Sequence, residues 1–343
     1  MASTLDITVL VGNGFDLSAG LETSTKKFIS SFAREHRNND GPIGRLARQI
    51  GTDGPEEWGN FEKKLGEYTA EIESSEEDPV NAALDCKDAI DDALFHFIAS
   101  EDNRITDDFI EANSAEVIGS VANWYAALQP GEQAAIDGLY SSPYLLNTRF
   151  VTFNYTSLLP RLCEKYGTGR HPTPDSAIQT TELQLVGLVQ AHGSLGRNPI
   201  CGVNDATQIS SKALAANEDV VLTFIKGKVQ DMLASIDVPQ AMDAINVADI
   251  IIIYGLSLGE TDSRWWKAIV TLLKTSTRRR VIIASTEAAR ARRTVVAFRR
   301  FSKELKGKLL QRGGASDEEI RTLSSQIYFI PSEDILQFKE TIF

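Results

Sequence analysis

Six short apolar runs, rich in β-branched residues and each ending in a small or polar turn, constrain this chain most. They are Ile7–Val11, Phe150–Phe153, Leu185–Val189, Ile250–Tyr254, Val281–Ala284 and Ile327–Ile330. Such a run has little or no polar face, so as a strand it must be covered on both sides, as in a parallel sheet. Helical patterns follow most of them, at Thr23–Arg34, Ser157–Lys165, Ser263–Lys274 and Glu287–Lys308. Strand then helix, repeated, predicts βαβ units: an α/β protein with a doubly wound, Rossmann-like parallel sheet of about six strands.

The runs are unevenly spaced, with about 140 residues between the first and the second. In that stretch Trp58, Phe61, Leu65, Tyr68 and Ile72 step by three or four, as do Ile90, Leu94, Phe97 and Ile98, which is helical periodicity. A large all-helical insertion or cap lobe over residues 40–145 is therefore expected, lying on a core built from residues 1–39 and 146–343. A second helical excursion, Ser210 to Ala244, is expected to add to the wall of the same cleft.

Composition narrows the setting. The N-terminus has no basic segment and its apolar run is too short for a signal peptide, and no run nears the roughly 18 residues that span a bilayer. Cys86, Cys163 and Cys201 are scattered, which fits reduced, buried thiols and excludes a four-cysteine zinc site. A soluble, cytoplasmic protein with no metal and no membrane partner is expected. Asp and Glu outnumber Lys and Arg by 47 to 35, so the net charge is −12 and general phosphate-backbone binding is disfavoured. Nucleic acid is not an expected partner on that count; an anionic ligand would need backbone amides or locally gathered charge.

Four turns at predicted strand ends carry candidate chemistry. In Gly12-Asn13-Gly14-Phe15-Asp16-Leu17-Ser18-Ala19-Gly20-Leu21 the glycines allow close backbone approach, and amides at a helix start can meet a pyrophosphate. The run lacks the Lys of a Walker loop and the third glycine of G-x-G-x-x-G, and a tight turn without a ligand has the same form. Asn154, in Thr152-Phe153-Asn154-Tyr155-Thr156, sits where open α/β sheets bind ligands, or serves as a helix N-cap. His192, in Gln190-Ala191-His192-Gly193-Ser194, is the one histidine of four placed at a strand end beside a glycine. It is a candidate base, or a structural ring. Gly255, Ser257 and Asp262, in Tyr254-Gly255-Leu256-Ser257-Leu258-Gly259-Glu260-Thr261-Asp262, fit a ribose or adenine edge, or a plain capped loop. Four such turns on one parallel sheet converge on one crevice, and the convergence points to a nucleotide-like ligand.

With these residues in view, the chain resembles the AbiH-type bacteriophage abortive-infection family across nearly its whole length. The resemblance rests on GNGFDLSAGLETST, TFNYT, AHGSL, GVND (Gly202 to Asp205) and YGLSLGETDSRWW, in that order, and on Trp58, Phe61, Glu62 and Leu65 as a W-x-x-F-E-x-x-L element. More remotely, the core is similar to the sirtuin fold. Gly12, Gly14 and Ser18-Ala19-Gly20-Leu21 match its glycine loop, Asn154 its T-x-N strand end, His192-Gly193 its His-Gly pair, and Gly255-Leu256-Ser257-Leu258 its G-x-S-L loop. The chain departs from that pattern in carrying Glu22-Thr23-Ser24 where P-D-F-R is expected, in having Thr156 for an Asp, and in lacking the zinc-ribbon cysteines.

These departures turn the likeness away from protein deacylation and toward sirtuin-like NAD-cleaving effectors of phage defence. The resemblance to the AbiH-type group implies an antiphage, abortive-infection effector; from the site shared with the sirtuin-like effectors we infer an NAD glycohydrolase, with NAD as substrate and no permanently bound cofactor. Asn154 and His192 would be catalytic. Gly12, Asn13, Gly14, Phe15, Asp16, Ser18, Gly193, Gly255, Ser257 and Asp262 would bind the dinucleotide, with Glu62 and Asp205 as additional candidates. Two other readings stay open: a nucleotide-sensing module acting through a partner or homo-oligomer, and a nuclease-type toxin using the arginines at 278–280, 290–293 and 299–300. A phage-derived trigger is the further partner this implies.

Overall fold

All six apolar runs lie in one sheet of the computed structural model, which describes residues 3–52, 58–140, 144–173, 180–197, 200–232 and 237–342. The strands are β1 (Ser3–Val11), β2 (Tyr144–Thr152), β3 (Arg170–Pro172), β4 (Thr180–Gln190), β5 (Ile250–Tyr254), β6 (Arg280–Ser285) and β7 (Ile327–Pro331), in the order β3-β4-β2-β1-β5-β6-β7. All neighbours are parallel except β3, which pairs antiparallel with β4 at the edge. This seventh strand has no apolar run to announce it. Its Pro172 and its His171, packed at a tilt on Tyr166 at 4.1 Å, read as a loop, and only an edge tolerates a proline there.

Coverage on both faces follows from residue alternation. Ile250 and Ile252 of β5 pack with Leu5, Ile7 and Val9 into one core, and Ile251 and Ile253 turn to the other. Between β1 and β2 the chain runs through α1 (Gly14–Ser18), α2 (Thr25–His36), α3 (Pro42–Thr52), α4 (Trp58–Ser75), α5 (Pro79–Asp102), α6 (Asp107–Gly119) and α7 (Pro130–Asp137). After β2 comes α8 (Leu158–Tyr166), and after β4 come α9 (Lys212–Ala215), α10 (Glu218–Phe224), α11 (Lys226–Met232) and α12 (Asp237–Val247). The remaining helices are α13 (Ser263–Thr275), α14 (Thr286–Ala291), α15 (Val295–Arg312) and α16 (Asp317–Leu323).

Helices α6 and α8 cover one sheet face, and α12, α13 and α15 the other. Trp265 and Trp266 are both buried and anchor α13 in the second core, with the Trp266 indole N–H donating to the Gly259 carbonyl at 2.7 Å. The helices after β1 are shared between cores. Phe109, Ile110, Val117 and Ile118 of α6 join the sheet, while Phe28, Phe61, Leu65, Ile90 and Leu94 pack with Leu214, Val220 and Phe224 into a third cluster. Because β1, β2, β4 and β5 run parallel, their following loops emerge at one edge, and the third cluster lies over that edge. No helix among the described residues is long and apolar enough to cross a membrane. All three cysteines are buried free thiols, as expected of them.

Candidate functional site

The glycine loop after β1 is held against the loop after β5 by contact between their backbones. The Gly12 amide donates to the Tyr254 carbonyl at 2.9 Å, and the Gly14 amide to the Gly255 carbonyl at 3.0 Å. A Cβ on Gly14 would stand 2.5 Å from the Gly255 Cα, and Gly255 itself has φ +67°, so side chains are excluded from both. The Phe15 amide donates to the Gly12 carbonyl at 2.9 Å. Three amides expected to face a pyrophosphate are thus satisfied inside the protein, and these glycines serve chiefly to bring two loops together.

The same loop carries a buried carboxyl. Asp16, 1% exposed, accepts from the Asn154 side-chain amide at 2.8 Å on one oxygen and from the Thr156 hydroxyl at 2.9 Å on the other. Burial pushes the Asp16 carboxyl up to about 7, against the lowering effect of those two donors. The Asn154 amide also donates to the Gly12 carbonyl at 3.2 Å. Both its N–H groups are therefore engaged, and its carbonyl oxygen has no protein donor among the described residues. Asn154 does not cap a helix: α8 has Ser157 at that position. Thr156, a departure from the sirtuin pattern, works here as a donor that fixes Asp16.

A second buried network stands across the cavity. Nε2 of His192 lies 3.3 Å from Oδ1 of Asp262, and the same oxygen accepts from the Lys226 ammonium at 3.0 Å. Lys226 also donates to Glu62 at 3.0 Å, and the other Glu62 oxygen accepts from the Gly202 amide at 3.2 Å. Burial alone would raise the Asp262 carboxyl, but the Lys226 ammonium and the hydrogen bond from His192 hold it well below the usual carboxylate range. Burial would likewise lower Lys226, yet Asp262 and Glu62 raise it above an ordinary lysine. Asp262 is thus an anion that orients the imidazole, which leaves Nδ1 as the ring nitrogen able to accept a proton. Phe153 and His192 meet in a T-shaped ring pair, centroids 5.0 Å apart, which restrains the plane of the imidazole.

Between these networks lies a cavity of about 350 Å³, within the range typical of small-molecule sites. The structure brings Gly12, Asn13, Gly14, Asp16, Glu62, Asn154, His192, Gly255, Ser257 and Asp262 to its wall. The other expected residues lie elsewhere. Phe15 is fully buried in the core against Tyr254 and Phe338, Ser18 donates to the Phe15 carbonyl, and Gly193 lines a separate small hollow beside Gln190. Asp205 caps a short turn by accepting from the Thr207 amide. Asn13 reaches the cavity but spends its side chain on Thr23, whose carbonyl and hydroxyl it engages at 2.9 and 2.6 Å. Asp262, expected at a ribose or as a cap, does stand at the N-cap of α13, but its side chain makes no cap bond and engages Lys226 and His192.

Sequence reasoning missed Lys226 and gave Trp58 and Tyr155 no part in the wall. Lys226 follows Phe224-Ile225 with no motif around it, although a lysine ending an apolar run was the one available hint. Among the described residues no group of three or more His, Cys, Asp or Glu is placed to hold a metal ion.

A family model described as Bacteriophage abortive infection AbiH matches residues 8–284, a span that includes every residue of the cavity wall. No curated protein matches the chain.

Proposed function

The chain belongs to the bacteriophage abortive-infection AbiH family, and we propose that its part in that defence is hydrolysis of the nicotinamide–ribose bond of NAD(+). The observation that carries this reading is that the His192–Asp262 pair and Asn154 line one cavity at the ends of three parallel strands. The charge of the wall supports it: Glu62 and Asp262 share the single cation Lys226, so the wall keeps an excess of negative charge, which favours a cationic group such as the nicotinamide pyridinium over a bare phosphate.

The bond to be broken joins ribose C1′ to a positively charged nitrogen. As it breaks, its electron pair neutralises the pyridinium, so the leaving group needs no proton and the demand falls on the oxocarbenium-like ribose and on water. The Asn154 carbonyl oxygen is positioned to accept from a ribose hydroxyl or from that water. Nδ1 of His192 takes the proton as the water oxygen bonds to C1′, and Asp262 stabilises the imidazolium that forms. The products are nicotinamide, ADP-ribose and a proton. The resemblance of the strand-end motifs to the sirtuin pattern, read from the sequence, supports this chemistry, in which NAD is a substrate rather than a resident cofactor.

Purified protein incubated with NAD should release nicotinamide and ADP-ribose. His192→Ala and Asn154→Ala should each lower the rate by about 100-fold or more while the fold persists by circular dichroism. Full release by both variants would exclude this mechanism. NAD bound but not cleaved would identify a nucleotide-sensing module acting through a partner or oligomer, and metal-dependent cleavage of DNA or RNA a nuclease-type toxin.

A further inference from the structure

Helices α15 and α16 wall an open groove of about 1360 Å³ on the outer side of the second core. Between Thr286 and Arg312 the chain carries nine Arg and Lys against two Glu, in a protein whose net charge is −12. Lys306 and Lys308 are held by the fold: Lys306 donates to the Ser324 carbonyl and lies over the Phe329 ring, and Lys308 donates to the Ser257 carbonyl at 2.8 Å. Arg299, Arg300, Lys303 and Arg321 also line the groove, but they are exposed and have no acidic partner among the described residues.

Several surface cations elsewhere are paired, as in Lys27–Glu22, Arg161–Asp107 and Lys274–Glu319, and the groove lining has its own carboxylates in Glu260, Glu304 and Asp317, yet none of these pairs with the four. Four unpaired cations along one groove repel one another and do nothing for the fold, so they call for an anionic partner. The groove is far larger than the cavity and shallow, which suits a chain rather than a small molecule. From Arg299 to Arg312 helix α15 rises about 20 Å, on the order of six stacked nucleotides at about 3.4 Å each. Phe298 is half-buried: its ring meets Phe301 and Phe329 at 6.3 Å in the second core, and the part left on the groove wall offers a base a surface to stack on.

We propose that this groove binds single-stranded nucleic acid, its phosphates on Arg299, Arg300, Lys303 and Arg321 and a base on Phe298. A cationic groove with an aromatic platform is the standing design for sequence-tolerant single-strand binding. A lipid surface fits less well. Val295 and Val296 are exposed, but Phe298, Phe301, Leu305, Leu309 and Leu310 of the same helix pack into the second core, so no continuous apolar face remains to enter a bilayer. Lys308 ties the inner end of the groove to Ser257 on the cavity rim, so a bound strand would lie beside the cavity.

The test is fluorescence anisotropy of the full chain with a labelled mixed-sequence oligonucleotide, which reads binding whether or not NAD is hydrolysed. Binding should weaken with salt, with a log–log slope of about −2 to −3 for three or four phosphates. The triple variant Arg299→Glu, Arg300→Glu, Lys303→Glu should lose at least about tenfold in affinity at an unchanged Tm. Phe298→Ala should weaken single strands severalfold, and Lys26→Glu, on α2 and outside the groove, should bind as the native chain does. Salt-insensitive binding, no binding, or equal binding by the triple variant overturns the proposal. So does equal affinity for a duplex of the same length, or capture by anionic vesicles with no affinity for the oligonucleotide.

Discussion

At Asp16 a carboxyl that ordinarily ionises near pH 4 is pushed up to about 7 because burial outweighs its two hydrogen-bond donors. Its folded-state pKa lies above its unfolded one, so between about pH 4 and 7 the folded chain keeps a proton that the unfolded chain has released. The stability from this group is complete below the unfolded value, falls as pH rises to about 7, and is then flat; the full swing is on the order of 4 kcal/mol. Asp16→Asn keeps an acceptor for Asn154 and removes the titration. Denaturant unfolding between pH 4 and 8 should show a shallower decline for Asp16→Asn than for the native chain; parallel curves would mean that Asp16 does not titrate in this window. Asp16 was legible as a candidate because it follows a glycine loop. Its partners were not, since Asn154 and Thr156 lie about 140 residues away.

At the level of elements, the glycine loop shows why motif and role came apart. A strand followed by G-x-G was readable as a tight turn with close backbone approach, and close approach is what the structure contains. What approaches is the loop after β5, and the amides of Gly12 and Gly14 are taken by its carbonyls. Gly255→Ala forces a side chain into positive φ, at a cost of about 1–2 kcal/mol, and sets its Cβ 2.8 Å from the Gly14 Cα. Unfolding free energy should therefore fall by about 2 kcal/mol or more, with ligand handling at the cavity impaired. Gly131→Ala, where nothing lies within 4 Å, should be neutral or slightly stabilising by the same assay. Strand β3 failed to register in the sequence for a related reason. Three residues including a proline have no period, and their pairing is specified by β4.

For the whole molecule, Lys226 is the residue that joins the parts. It sits at the start of α11, 5% exposed, between Glu62 of α4 and Asp262 at the start of α13, so the helical layer and the sheet edge share one buried ion network. Lys226→Met keeps the volume but strands two carboxylates in the interior. Breaking such a network from one side costs about 3–5 kcal/mol. The double variant Lys226→Met with Glu62→Gln should recover part of that loss in thermal melts; a double variant no more stable than Lys226→Met would show that Lys226 and Glu62 are not coupled. The single variant should also release Asp262 from its cation and so disturb the orientation of His192.

The sequence by itself determined the α/β class, the six principal strands and the edge at which Gly12, Asn154, His192 and Gly255 emerge. Continuous apolar runs can be satisfied only by burial on both faces, and parallel strands send their following loops to one side. Only the tertiary structure decided which carboxylate steadies His192, which amides are spoken for, and how the helices after β1 divide between cores. A hydrogen bond or a buried charge is defined by a partner, and here the partners lie from 36 residues apart, for Lys226 and Asp262, to 164, for Lys226 and Glu62, where no local pattern carries their address.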